Sequence, residues 1–331
     1  MIRRPPRSTQ GVSSAASDVY KRQQLIRGLH NLKKQSSCVL TIGNFDGVHI
    51  GHQEIIKRLV EKSHELKMPS LVISFSVTPE SFFGRPKARL SSFRDKHSFL
   101  KSMGVDMHLL IRFNNAFSQT SAASFVENIL VEKLKVRHCF IGDDSRFGKD
   151  RLGDYRMLEK LSKPNNFIAE NVGRVSLEGQ RVSSSAVRLC LSSGNFSMAE
   201  KLLGRPFAIS GRVSHGDKRG RTIGFPTINV GISRRLSPVL GVFNVLVETN
   251  KKTYYGVCNV GKRPTVGGEK TLLEVFIFDF NREIYGERVN IIFKQKSREE
   301  MKFDTFEELK QQIAKDVEIG RQYFKAHANL G

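Results

Sequence analysis

The chain has 331 residues, 39% hydrophobic and 26% charged, with 54 Lys and Arg against 32 Asp and Glu for a formal charge of +22. That length suits two ordinary domains, no apolar run is long enough to cross a bilayer, and the dispersed Cys38, Cys139, Cys190 and Cys258 exclude a disulfide scaffold and read as reduced cytoplasmic thiols. The charge invites a nucleic-acid reading, but the basic residues are interleaved with acids, with no basic arm, zinc-finger spacing or aromatic RNA-binding signature. A solvated basic surface that draws in small anions is therefore expected, with no specific nucleic acid as partner.

Residues 1–23, MIRRPPRSTQGVSSAASDVYKRQ, hold five Lys or Arg, one Asp and Pro-Pro, with no apolar centre of a signal peptide. The string is similar to translated library-adaptor sequence, so a non-native or disordered leader is expected; without it the charge is about +18. From Gln24 to Ser192, apolar β-branched runs at 39–43, 71–75, 108–113 and 138–142 alternate with helical stretches. That alternation predicts a doubly wound parallel α/β sheet. A helix is predicted after the first run, with Ile55, Ile56, Leu59 and Val60 on one face and its end before Met68-Pro69. Residues 193–203 read as a linker helix. From Gly204 onward, short alternating strands between Gly, Pro and Asn predict a small antiparallel β-barrel. A last helix follows, opened by Asp304 or by a Thr305/Glu308 capping box, with Phe306, Leu309, Ile313 and Val317 on its buried face.

The first run breaks into "TIGNFDGVHIGH" at 41–52, a strand, a turn and a helix start that sets His49 and His52 on one helical face. Free N–H groups and the positive end of the dipole favour an anion there, and phosphate is the obvious guest. By themselves the two histidines are also compatible with capping, packing or metal ligation. No further Cys or His completes a zinc site, and the spacing is neither a Walker A nor a G-x-G-x-x-G motif.

"GNFDGVHIGH" resembles the nucleotidyltransferase signature of bacterial bifunctional riboflavin kinase/FAD synthetases. The resemblance continues in order through "LIRGLHNL", "FIGDDSRFGKDRLGD", "RVSSSAVR", "LLGRPFAISGRVSHGDKRGRTIGFPTIN", "NVGKRPTV", "LEVFIFDF" and "REEMKFDTFEELKQQI". It implies that the N-terminal half transfers AMP from ATP to FMN, releasing pyrophosphate. His49 and His52 would stabilise phosphate charge, Gly43, Asn44 and Phe45 would line the nucleotide pocket, and Ser184, Ser185 and Arg188 would meet the phosphates. It further implies a C-terminal riboflavin kinase at 204–331. There Gly216, Lys218 and Gly220 belong to an ATP-binding loop, Thr227 and Asn229 hold Mg²⁺ and ATP, and Glu274 is the general base. Arg298 is a nucleotide or flavin contact. Taken alone, the Ser-rich turn reads as N-capping, Arg188 as a surface charge and Glu274 as a strand residue paired with a cross-strand Lys.

The resemblance makes riboflavin, FMN and ATP the small-molecule partners and FMN and FAD the products; an oligomer is possible and left unspecified. Two departures fall in the first half: "FSVTP" at 75–79 replaces the usual Phe, acid, Pro, His or Gln, Pro pattern, and Ser145 replaces the usual Phe in "GDDSRFG". A kinase with a silent adenylyltransferase half is therefore a second reading. A basic nucleic-acid or regulatory binding protein on the same scaffold is a third. If the kinase reading holds, a fragment starting at Gly204 contains its whole site.

Overall fold

The computed structural model describes residues 23–32, 37–214, 224–232, 236–250, 252–265 and 268–327. All but the last residue of the expected leader, together with Gly216, Lys218 and Gly220, lies outside the described residues. In chain order the N-terminal half contains β1 (Gln24–Arg27), β2 (Cys38–Ile42), α1 (Ile50–Glu65), β3 (Ser70–Phe75), α2 (Pro79–Phe82) and α3 (Phe93–Ser102). There follow β4 (Met107–Ile111), α4 (Asn115–Ser118), α5 (Ala122–Ser124), which runs on as a π-helical stretch Phe125–Lys133, and β5 (Val136–Gly142). The half closes with α6 (Tyr155–Ser162), β6 (Ile168–Val172), a hairpin of β7 (Ser176–Leu177) and β8 (Gln180–Arg181), and α7 (Ser184–Ser192).

The six long strands form a parallel sheet in the order β1-β4-β3-β2-β5-β6. Helices cover both faces, so β2 and β3 are apolar along nearly their whole length instead of alternating. Val39, Val72 and Phe140 pack on Ile56, Leu59 and Leu100 of α1 and α3, while Leu40, Leu71 and Cys139 pack on Phe125, Val126 and Leu130. The chain winds to one side of β2 through β3 and β4, and to the other through β5 and β6. That reversal opens a crevice at the carboxyl end of β2, where Gly43 stands.

The sheet also buries a histidine that the sequence reading passed over. His108 of β4 is fully covered, its Nε2 2.7 Å from Ser74 Oγ and its Nδ1 3.0 Å from Nδ1 of His97. Burial, aided by the nearby Lys96 and His97 charges, pushes its pKa down to about 3.

The C-terminal half begins with α8 (Phe196–Leu203) and continues through β9 (Ala208–Ser214), β10 (Thr227–Gly231), β11 (Gly241–Glu248), β12 (Thr253–Thr265), β13 (Gly268–Ile277), β14 (Arg288–Arg298) and α9 (Phe306–His327). The strands close into an antiparallel barrel in the order β10-β13-β12-β11-β14-β9, with β9 returning to β10. The segment expected as a linker is helical, but it is not a spacer. Phe196, Ala199, Leu202 and Leu203 of α8 are buried in one cluster with Phe207, Phe243 and Phe293 of the barrel. The Phe196 ring meets those of Phe243 and Phe293 at 5.8 and 6.0 Å.

The closing helix keeps Leu309, Ile313 and Val317 of its expected face partly buried, with Val317 packed against Val242, Val257, Phe278 and Phe324. Glu308 N–H donates to Thr305 Oγ1 and the Glu308 carboxylate accepts from Asp304 N–H, so the start signal holds. Yet Phe306 is 59% exposed, and the buried stripe is Asp316, Gly320 and Phe324. The helix lies across the outside of the barrel, where a Cβ on Gly320 would come within 2.7 Å of Val257 Cγ2. Burial is therefore deepest where the helix approaches the wall most closely, and of the expected residues Phe306 alone falls beyond the contact.

Phe196→Ala should lower unfolding stability by about 3–5 kcal/mol, read from denaturant midpoints at constant slope, because it empties a filled aromatic cluster. For His108 the unfolded chain takes up a proton below about 6.5 and the folded chain only near 3. Its contribution is thus whole above the higher value and drains as pH falls toward the lower. Replacing His108 with Gln should flatten that part of the stability-against-pH curve, measured by denaturation at several pH values.

Candidate functional site

The crevice beside β2 is a cleft of about 1210 Å³. Its floor is the turn between β2 and α1, where Phe45, Gly47 and Val48 all have left-handed backbones, with φ of 46°, 78° and 41°. Phe and Val adopt that conformation only when their surroundings impose it. Both are buried. At the end of the turn His49 caps α1, its Nδ1 accepting from His52 N–H at 3.3 Å. The two imidazoles stack with centroids 3.7 Å apart, and Phe45 meets His52 edge-on at 5.1 Å. A Cβ on Gly51 would lie 3.3 Å from His49 Nδ1, so the glycine between the histidines leaves room for that ring.

Burial pushes His49 down to about 4, against the raising effect of Asp46 and Asp144; burial, then His49 and Lys96, hold His52 well below its usual value. Both are neutral near pH 7. Since His49 Nδ1 is an acceptor, its proton belongs on Nε2, which is then a directed donor. His52 Nδ1 and Asn44 Oδ1 are buried polar atoms with no hydrogen-bond partner among the described residues.

The structure brings Gly43, Asn44, Phe45, His49, His52, Ser184, Ser185 and Arg188 to this one cleft. Helix α7, capped by Ser183, points its N-terminus into it, so two helix starts converge on the same space. Ser184 Oγ donates to Asp46 O at 3.0 Å. The Arg188 guanidinium is committed to protein partners: Nη2 to the Asp46 carboxylate and Nε to Ala88 O. Among the departures, Thr78 accepts from Ser81 N–H and caps α2, which carries Phe82, while Ser145 lines the cleft.

Three features escaped the sequence reading. Asp46 accepts from Leu90 N–H and Ser91 N–H as well as from Arg188. Lys96 of α3, 8% exposed, donates to Asn44 O at 2.9 Å, and burial lowers it to about 8. Finally, Phe75, Phe83, Phe113, Phe117, Phe125 and Phe147 make an aromatic wall along the cleft, linked through ring contacts of 5.7–6.2 Å. An acid in a turn reads as a local Asx bond, and an inward Lys appears only as a break in a helix face; neither signal names a partner.

On the barrel, Thr227 and Asn229 alternate with Ile228 and Val230, which face the barrel interior, so they share the outer face of β10. Glu274 lies directly opposite Asn229 on β13, and Asn259 of β12 lies opposite Glu274 on its other side. Directly paired residues project to one face, so the three form a row across three strands. Gly224, shortly before β10, has φ of 86°. Arg298 does not join the row: Nε and Nη2 donate to the buried Asp316 at 2.9 and 2.7 Å, and Nη1 donates to Glu299 O. It fastens α9 to β14. Among the described residues no cluster of three or more His, Cys, Asp or Glu could hold a metal ion, but Thr and Asn oxygens with a carboxylate nearby suit a hard cation.

Residues 31–186 match the family model described as FAD synthetase, and residues 203–324 match that described as riboflavin kinase. The chain is 44% identical over 307 residues to a bifunctional riboflavin kinase/FMN adenylyltransferase of Haemophilus influenzae, covering 92% of this chain and 100% of that one. Identity to the enzyme of the same description from Pseudomonas fluorescens is 46%, over 90% of this chain and 97% of the relative. A crystal structure from Streptococcus pneumoniae described as a macrolide-efflux protein shares 31% identity at a TM-score of 0.75, over 90% of this chain and 98% of that one. Among the described residues no helix is long and apolar enough to cross a membrane. With both family models matched in order and these relatives covered almost end to end, the chain belongs to the bifunctional riboflavin kinase/FMN adenylyltransferase family.

Proposed function

We propose the following division of labour within a bifunctional riboflavin kinase and FMN adenylyltransferase. In the N-terminal cleft an oxygen of the FMN phosphate attacks the α-phosphorus of ATP, the bond to the bridging oxygen breaks, and pyrophosphate leaves. His49 and His52 act as neutral donors to the phosphate oxygens. The N-termini of α1 and α7, with Ser184 and Ser185, supply N–H and hydroxyl groups to the same charge. Gly43, Asn44 and Phe45 border the nucleotide. Arg188 holds Asp46 and the 88–91 segment in place and so shapes the phosphate site from behind. The aromatic wall suits a planar flavin ring, which gains by stacking and edge contacts. The observation that carries this reading is the stacked histidine pair at a helix start facing a second helix start in one cleft.

On the barrel, Glu274 takes the proton of the riboflavin 5′-hydroxyl as its oxygen attacks the γ-phosphorus and ADP leaves. Thr227 and Asn229 would hold Mg²⁺, which neutralises charge on the ATP phosphates when bound. Gly216, Lys218 and Gly220 belong to the same phosphate site by resemblance to the family, and Arg298 acts only through α9. The register of Asn229 against Glu274 supports this placement. The four free thiols, three of them buried, suit a reducing cytoplasm.

Product chromatography after incubation with riboflavin, ATP and Mg²⁺ tests both halves at once. His49→Ala and His52→Ala should each lower FAD formation about 100-fold or more while FMN formation continues, since one lost oxyanion donor costs that order. Equal loss of both products would refute the assignment. Glu274→Gln should lower kcat for FMN formation by about 100-fold or more with the KM for ATP little changed, as expected of a general base; normal turnover would place the base elsewhere.

A further inference from the structure

The left-handed turn that delivers His49 is braced from the side opposite the cleft, and the brace belongs to the kinase half. Arg205 follows the C-cap of α8 and precedes β9. Its Nη2 donates to Gly47 O at 2.6 Å and its Nη1 to Val48 O at 3.2 Å, with a further bond from Nη1 to Leu203 O at 3.1 Å. The guanidinium lies 4.2 Å above the ring of Phe99 on α3. Gln53 of α1 repeats the tie, donating to Val48 O and to Leu203 O, each at 2.8 Å. The junction is tight: a Cβ on Gly204 would meet Ile50 Cγ2 at 3.0 Å, and one on Gly47 would meet Leu203 Cδ2 at 3.3 Å.

Gly47 and Val48 are the last two residues before His49, and both are left-handed. A β-branched residue stays in that region only if the surrounding contacts over-determine it. The planar fork of Arg205 supplies donors to two successive carbonyls, which a single ammonium cannot match. Removing it would leave those half-buried carbonyls without these donors and let the peptide units relax, turning the His49 ring away from its stack with His52.

We propose that Arg205 is a positioning residue for adenylyl transfer, through which the first turn of the kinase half sets the geometry of His49 and His52. The inference rests on the assignment of those histidines to adenylyl transfer. It makes the FAD-forming cleft incomplete without the residue that opens the barrel, although Arg205 touches no substrate.

The test uses the full-length chain as Arg205→Met, which keeps the stem over Phe99, Arg205→Lys, and His49→Ala as reference, with both reactions measured on each preparation. Arg205→Met should lower kcat for FAD formation by about tenfold or more, with the KM values for ATP and FMN within about threefold and riboflavin phosphorylation within about twofold of the parent. Arg205→Lys should fall between the two, since it restores one donor. If His49→Ala abolishes FAD formation while Arg205→Met leaves it unchanged, the proposal fails and the histidine assignment stands. If both reactions of Arg205→Met fall equally, the residue merely supports the fold and the proposal fails. If Arg205→Met does not fold, Arg205→Lys decides: a selective loss of FAD formation supports the role, and an equal loss or none overturns it. If His49→Ala makes FAD normally, the assignment fails first and takes the proposal with it.

Discussion

The Asp46 carboxylate accepts hydrogen bonds from Leu90 N–H, Ser91 N–H and the Arg188 guanidinium, and so ties together three parts of the chain that meet at the cleft. Arg188 is 142 residues away in sequence, and the 90–91 segment 44 to 45. Charge-assisted bonds of this kind are stronger than neutral ones, and here they lock a turn whose own backbone preferences oppose it. With Lys96 on the Asn44 carbonyl and Arg205 on those of Gly47 and Val48, three cations surround a short loop without a cation of its own. The loop is held from several directions, and the two histidines that follow it inherit that constraint.

The same arrangement settles the protonation of the histidines. Asp46 and Asp144 favour the charged form of His49 and Arg188 opposes it, but burial is the largest effect and the ring ends near 4. An imidazolium pair stacked at 3.7 Å would repel itself. Neutral rings avoid that repulsion and still offer N–H donors with fixed direction. Positive potential in the cleft comes instead from helix termini and from Arg85, Lys87, Arg89 and Arg146, all of which line it. Positive potential and directed donors thereby come from different groups.

Much of this was legible before any coordinates. The parallel strands announced themselves as unbroken β-branched runs, because burial on both faces removes the polar alternation. The barrel did so by period-two alternation, and the histidine pair by a three-residue spacing at a strand-to-helix turn. What stayed hidden depends on pairings between distant positions. Asp46 with Arg188, Lys96 with Asn44 and Arg205 with Gly47 leave no local periodicity. The aromatic wall is drawn from several segments far apart in sequence, so its Phe residues read as ordinary core. Phe306 was misplaced for a related reason: helical spacing identifies an apolar stripe but not how far along the helix the supporting wall extends. The bidentate bond of Arg298 to the buried Asp316, which fastens α9 to β14, is another such distant pairing.

Helix α8 makes the two halves hard to separate cleanly. Its apolar face joins the barrel cluster, while the carbonyl of its last residue, Leu203, accepts from Gln53 of α1 and from Arg205. A cut at Gly204 keeps Thr227, Asn229 and Glu274 together but uncovers Phe243 and Phe293, so a fragment that contains the whole row does not contain the whole barrel core. A cut before Asn195 retains the helix and its cap for the barrel, yet takes Arg205 and the Leu203 carbonyl away from the histidine turn. No single boundary between 193 and 205 satisfies both. The asymmetry follows from geometry: the barrel needs α8 for its apolar volume, whereas the α/β half needs the junction for a few directed hydrogen bonds to a strained turn. Division of the chain therefore weighs on stability in one half and on the alignment of the stacked histidines in the other.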